Sequence, residues 1–294
     1  MAIGVVTLAA ACGDDDGKSG GTPDGKAVTV QAANGAVNVP AKPKRIVSLS
    51  PTHTETLFAI GATAGGRGGR LLQLSGRHPA HEAVGLQAER RGDHHPQAGP
   101  RRAVRRHGRH RQVAGEGEGP GPAGAAAKNL DEAYDEIGDL GKATGHEAEA
   151  KKVTDGMRAD IQKTVAASSK AKGLTYYHEL DNQLHSVTSQ TFAGQVYGLF
   201  GLQNIADKAD KASGGYPQLS REYLLKQDPD LIFLADTKCC GQNAAALTKR
   251  PGWSDLDAVG HDGVVELDDD IASRWGPRLT EFVKAIGDAV QKVQ

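Results

Sequence analysis

After Ala64 the chain stops using half of the amino-acid alphabet, and it resumes near Ala125. Between Gly65 and Gly124 there is no Lys, Ile, Phe, Tyr, Trp, Thr, Asn, Met or Cys, while Gly, Arg, Ala, Pro and His accumulate. A stretch with few apolar residues and many Arg and Gly cannot build a sheet. Apart from Ser75, every residue there is one that a codon beginning with C or G can encode. In a gene rich in G and C, third codon positions are nearly always G or C. Reading one base off turns each third base into a first base and confines the product to Leu, Pro, His, Gln, Arg, Val, Ala, Asp, Glu and Gly. A basic low-complexity tail has no reason to avoid Lys, Ser and Thr together. Segment 65–124 therefore reads as a frameshifted stretch, disordered as written, rather than an inserted domain.

Taking the second and third bases of each codon as the first two of the intended one allows a degenerate read-back. Residues 83–93 are compatible with Leu-Ser-Gly-Phe-Lys-Pro-Asn-Ala-Glu-Ala-Ile. Residues 97–106 are compatible with Lys-Pro-Asp-Leu-Val-Val-Leu-Ser-Asp-Asp, and 118–123 with Lys-Val-Pro-Val-Leu-Leu. These readings supply two β-branched strands and a helix start, which the flanking α/β pattern lacks.

A chain of 294 residues suffices for two packed lobes or one large α/β domain. Its formal net charge of −1 gives no general bias toward nucleic acid or anionic membrane. Residues 3–11, Ile-Gly-Val-Val-Thr-Leu-Ala-Ala-Ala, form an apolar run ending in small residues directly before Cys12. That run is short of the roughly 20 residues a spanning helix needs. It is similar to the end of a bacterial lipoprotein signal peptide, in which the Cys is lipidated and becomes the first residue; no Lys or Arg precedes it. Residues 1–12 are thus expected to be a signal remnant, and the Asp/Gly/Ser-rich 13–27 a flexible tether. This places the protein outside the cytoplasm, anchored to the outer face of the cytoplasmic membrane. Cys239 and Cys240 are adjacent, so they are either a vicinal disulfide or two free thiols in a loop, and not a CxxC pair.

Strands at 28–32 and 36–40 flank Asn34-Gly35, a hairpin signal. Arg45–Leu49 is a buried strand leading to a helix over Glu55–Ile60, capped by Thr52 or Thr54 and ended by Gly61. Helices are expected over Leu130–Leu140 and Glu147–Ser168, the second with Ala150, Val153, Met157, Ile161 and Val165 on one face. Beyond it, strands at 174–177, 230–235 and 264–267 alternate with helices at 191–199, 223–227, 244–248 and 277–293. The fold class is α/β, with mostly parallel sheets that bind ligands at their carboxyl ends.

Arg45-Ile-Val-Ser-Leu-Ser-Pro-Thr-His-Thr-Glu-Thr-Leu-Phe-Ala-Ile-Gly-Ala62 resembles the opening of the periplasmic-binding-protein family that serves importers of cobalamin and ferric siderophores. Tyr216-Pro-Gln-Leu-Ser-Arg-Glu-Tyr-Leu-Leu225, Asp228-Pro-Asp-Leu-Ile-Phe-Leu234 and Ala272-Ser-Arg-Trp-Gly-Pro-Arg278 continue the likeness. The resemblance implies two Rossmann-like lobes: an N-terminal one over 28–145, interrupted by 65–124, and a C-terminal one over 170–294. One long linking helix, 146–169, would join them. The ligand, cobalamin or a ferric siderophore, would sit in the cleft, and the loaded receptor would dock on an ABC permease driven by its ATPase. It implies no enzyme activity, no cofactor and no nucleic-acid partner, with membrane contact through the lipid anchor only.

The resemblance also assigns positions. The Ser50–Glu55 loop, with Ser50, Thr52 and His53, lies at a helix N-terminus, where backbone amides attract anionic groups. Tyr216 stands where cobalamin receptors place an aromatic ring against the ligand. Asp270 and Arg274 match cleft positions beside the last helix, and the planar Arg fork suits a carboxylate or phosphate. Glu222 aligns with an acidic residue that docks on the permease; its counterpart in the read-back frame falls at Arg91, where the written charge is reversed. A receptor for a bare Zn, Mn or Fe ion on the same fold is the alternative, with His53, His178, Glu179 and Asp270 as its ligand set. No G-x-S-x-G, P-loop or dinucleotide fingerprint is present to support an enzyme. An Arg/His nucleic-acid binder would rest wholly on segment 65–124.

Overall fold

The computed structural model describes residues 27–32, 35–39, 43, 45–48, 50–62, 70–73, 126–168, 171–210 and 213–293. The signal remnant, Cys12 and nearly all of the tether lie outside the described residues, as does Arg91. Of segment 65–124, only residues 70–73 are described.

Strands β1 (Val28–Ala32) and β2 (Gly35–Val39) form the expected antiparallel pair, but Gly35 already belongs to the second strand, opposite Ala32. Valines decide the register: Val28 pairs with Val39 and Val30 with Val37, so all four stand on one face. That face packs on Ala143 of helix α2 (Leu130–Thr144). Strand β3 (Arg45–Ser48) pairs in parallel with β4 (Arg70–Gln73), so four residues of segment 65–124 do join a sheet, contrary to the expectation for that segment. Between them in sequence lies α1 (Pro51–Ala59), whose N-cap is Ser50, accepting from the His53 N–H. The expected caps Thr52 and Thr54 are inside the helix instead. Pro51, with its fixed φ, is suited to the first helical position, and this moves the start upstream.

Asn129 caps α2, and Gly145 ends it in the left-handed conformation at φ 72°. Helix α3 (Glu147–Ala167) follows at once, 21 residues and so about 30 Å long. Ala150, Met157 and Ile161 are buried along it, with Val153 and Val165 packed at the edges. It lies against α2 on one side and the closing helix α10 (Leu279–Lys292) on the other.

The second half builds one parallel sheet of order β6-β5-β7-β8 from β5 (Thr175–Glu179), β6 (Gln203–Asn204), β7 (Leu231–Leu234) and β8 (Val264–Glu266). Helices α4 (Phe192–Gly198) and α5 (Arg221–Gln227) are followed by α6 (Thr237–Cys240), α7 (Ala244–Leu247), α8 (Asp257–Gly260) and α9 (Asp269–Ala272). All four residues of β7 are buried, as a central strand covered on both faces requires. Alternation sorts the side chains. Tyr176 and Phe233 face a core shared with α3 and α10, while Tyr177, Ile232 and Leu234 face one holding Trp253. The first of these cores also takes in Ile46, Leu57 and Ile60, so it runs unbroken from the first lobe into the second.

Candidate functional site: a cavity at the lobe junction

The carboxyl ends of β5 and β7 open on a cavity of about 390 Å³. His178 and Ala235 form its floor, and Phe192, Tyr216 and Trp275 supply aromatic walls. Residues 126–128, just before α2, close it from the first-lobe side, and Asp269 and Ser273 from α9. The rings of Phe192 and Trp275 stand 6.3 Å apart, and Tyr216 is 54 % exposed. Such a volume, mostly apolar with a few placed polar groups, suits a small-molecule ligand.

Polar contacts tie the two lobes around it. The indole N–H of Trp275 donates to Glu136 Oε2 of α2 at 2.7 Å, and the same oxygen lies 3.3 Å from His53 Nε2. Arg274 binds Glu55 of α1 and donates to Asp270 Oδ1 at 2.5 Å. Arg278 Nη1 stands 3.6 Å from Glu55. Gln195 of α4 donates to the Lys128 carbonyl at 2.7 Å.

Among the expected site residues, Tyr216 is therefore at the cavity. Ser50, Thr52 and His53 are buried at the start of α1, with Ser50 occupied in capping. Asp270 and Arg274 pair with each other beside the cavity wall. Glu222 is exposed on the first turn of α5, next to Arg221 at 3.4 Å. The bare-metal set does not converge. His53 faces Glu136, and Glu179 is fully buried and held by Nη1 and Nη2 of Arg250, each at 2.6 Å. His178 Nδ1 bonds the Tyr197 hydroxyl at 2.8 Å. The four side chains face different partners, and among the described residues no group of three or more His, Cys, Asp or Glu could hold a metal.

Two residues beyond β7, at the N-cap of α6, Asp236 is fully buried, neither carboxylate oxygen having a hydrogen-bond partner among the described residues. Burial, and then the charge of Glu179, push it up to about 7. Burial alone pulls His178 down to about 4, so its imidazole is neutral at physiological pH. Cys239 and Cys240 form a vicinal disulfide, exposed on α6, which settles the open alternative for that pair. The N–H groups of Lys238 and Cys239 donate to Asp269 at 3.0 and 2.8 Å, fastening this turn to the cavity wall.

Sequence reasoning did not single out Phe192, Lys128 or Trp275, and it used His178 only as a metal ligand. The position of His178 at the end of a parallel strand is a readable signal, because ligands gather there. Trp275 sits inside a quoted motif. Phe192 and Lys128 meet only through the packing of the lobes.

A parallel sheet opening at its strand ends onto an aromatic cavity, with a second lobe closing it across a long helix, defines a two-lobed binding protein. The chain belongs to the periplasmic-binding-protein family, which matches residues 119–271, just over half of its length. It is 27 % identical over 276 residues, 88 % of this chain and 83 % of that protein, to an uncharacterized ABC transporter substrate-binding lipoprotein, YvrC, of Bacillus subtilis (strain 168). A cobalamin-binding protein of Halobacterium salinarum is 34 % identical over 110 residues, 36 % of this chain and 29 % of that protein. The Fe(3+)-citrate-binding protein YfmC of Bacillus subtilis is 24 % identical over 82 % of this chain and 78 % of its own. Among solved structures, a possible iron-binding (periplasmic solute-binding) protein of Staphylococcus epidermidis superposes with a TM-score of 0.49 at 24 % identity. That superposition covers 56 % of this chain and 64 % of the solved one, just under two thirds.

Proposed function

We propose that this chain is the substrate-binding receptor of an ABC importer, capturing cobalamin or a ferric siderophore in the interlobe cleft and delivering it to the permease and its ATPase. Cys12 carries the lipid anchor on this reading, and the receptor works on the outer face of the cytoplasmic membrane. Glu222, exposed on the first turn of α5, is its docking residue toward the permease. The observation that carries the reading is the cavity, an aromatic-walled space at the strand ends where two lobes meet. Flat π-faces suit a large planar macrocycle or the apolar shell of an iron chelate. Family membership and relatives named for cobalamin and ferric citrate support the ligand class. The first-lobe side of the cleft falls largely in segment 65–124, so the decisive protein is one with that frame corrected. Titration of the corrected chain with cyanocobalamin and a panel of ferric siderophores, ferric citrate included, is expected to give saturable binding of at least one member. A flat calorimetric response to all of them overturns the reading.

A further inference from the structure

The Tyr197 hydroxyl is fully buried, and its one hydrogen-bond partner among the described residues is His178 Nδ1 at 2.8 Å. The rings meet edge to face with centroids 5.7 Å apart, which fixes the imidazole plane. A phenolic O–H in a core needs an acceptor, because a stranded donor forfeits its full desolvation cost. Nδ1 is that acceptor only if it carries no proton. The opposite arrangement, Nδ1–H donating to the phenol oxygen, would leave the phenol proton with nowhere to go. Burial keeps the phenol protonated, well above the usual range, and keeps the imidazole neutral. The single ring proton is therefore on Nε2. That nitrogen makes no hydrogen bond with the described residues and is not among the sealed, unsatisfied atoms, and His178 lines the cavity floor.

We infer that His178 is a ligand-binding residue whose Nε2–H, oriented by Tyr197, donates to an acceptor oxygen of the bound ligand. With Nε2 protonated and the Nδ1 lone pair taken by the Tyr197 hydroxyl, the ring offers none to a metal, so recognition is of the ligand's organic shell and not of its metal. This rests on the cavity being the ligand site proposed above. The acceptor is a carboxamide oxygen in a corrinoid or a carboxylate oxygen in a citrate chelate.

Two measurements test it. In ligand-free, 15N-labelled protein, long-range proton–nitrogen correlations assign the tautomer of His178. Nε2–H is expected, with release to a tautomer mixture in Tyr197→Phe; an Nδ1–H tautomer or an imidazolium at pH 7 overturns the inference. In the frame-corrected chain, His178→Phe is expected to weaken whichever of cyanocobalamin and ferric citrate binds by about tenfold, the loss of one hydrogen bond. His178→Gln, which keeps an N–H, should lose less. Equal affinity of wild type and His178→Phe overturns it as well, melting temperature serving to show that the variant is folded. If the wild type binds neither probe, the functional reading fails, and the tautomer measurement still decides whether the floor presents a donor.

Discussion

Asp236 is sealed from solvent with both carboxylate oxygens unpartnered among the described residues, so its ionisation opposes folding. Its folded-state value is raised to about 7 from 3.8, so the native state holds a proton that the unfolded chain has already released. Stability is thus fully present below about 3.8 and is lost as pH rises through about 7. His178 acts in the opposite sense. Its value is lowered to about 4 from 6.5, so the unfolded chain binds the proton first, and its contribution is lost as pH falls from 6.5 to about 4. Asp236→Asn is expected to stabilise the protein by about 2 kcal/mol at pH 8, by a shrinking amount toward pH 5, and by nothing near pH 4. Denaturant unfolding across that range checks it; a pH-independent gain would mean that the carboxylate is ionised throughout. Neither behaviour was legible in the sequence. Asp236 reads there as a polar residue following a strand, and only the crowding of Glu179, Arg250 and the sheet end around it makes it unusual.

Helices α2, α3 and α10 approach one another over glycines. A Cβ added to Gly287 of α10 would stand 2.8 Å from Thr164 Cγ2 of α3, and one at Gly141 would stand 2.5 Å from Ala150 Cβ. Glycine weakens a helix by roughly 0.5–1 kcal/mol against alanine, so its presence here is offset by closer packing of neighbours. Gly138 and Gly156 face open space and have no such reason. Gly287→Val is expected to cost about 1–3 kcal/mol through overpacking, and Gly156→Ala to add about 0.5–1 kcal/mol. Thermal unfolding of the two variants compares them directly, and a neutral Gly287→Val would mean that the helices separate without cost. The long elements were readable, since Ala150, Met157 and Ile161 set a helical period and the Leu231–Leu234 run marks a central strand. The hairpin was legible around Asn34-Gly35, but its second strand begins at Gly35 and not at 36, because valine pairing sets the alignment. Helices α6, α8 and α9 and strand β6 were not read, since two to four residues carry no helical period, whereas the equally short β7 and β8 show as apolar runs.

At the scale of the molecule, Glu55 and Glu136 of the first lobe gather Arg274, Arg278 and Trp275 of the second. Tyr216 could be placed at the cavity from its motif. The pairing of Arg274 with Glu55, 219 positions apart, could not, because it depends on how the lobes lean together. This junction also gives the protein a built-in optical gauge. The chain has two tryptophans. Trp253 is sealed in the second-lobe core with the Arg250 guanidinium 4.6 Å over its ring. Trp275 is half-buried at the cavity, its N–H held by the opposite lobe. Any parting of the lobes changes the surroundings of one indole and leaves the packing of the other in place. Emission during a ligand titration should therefore shift through Trp275 alone, and Trp275→Phe should abolish the shift while leaving the Trp253 background in place. A shift that survives Trp275→Phe would mean that ligand arrival is felt in the second-lobe core. Any movement of the lobes could thus be timed without attaching a label to the protein.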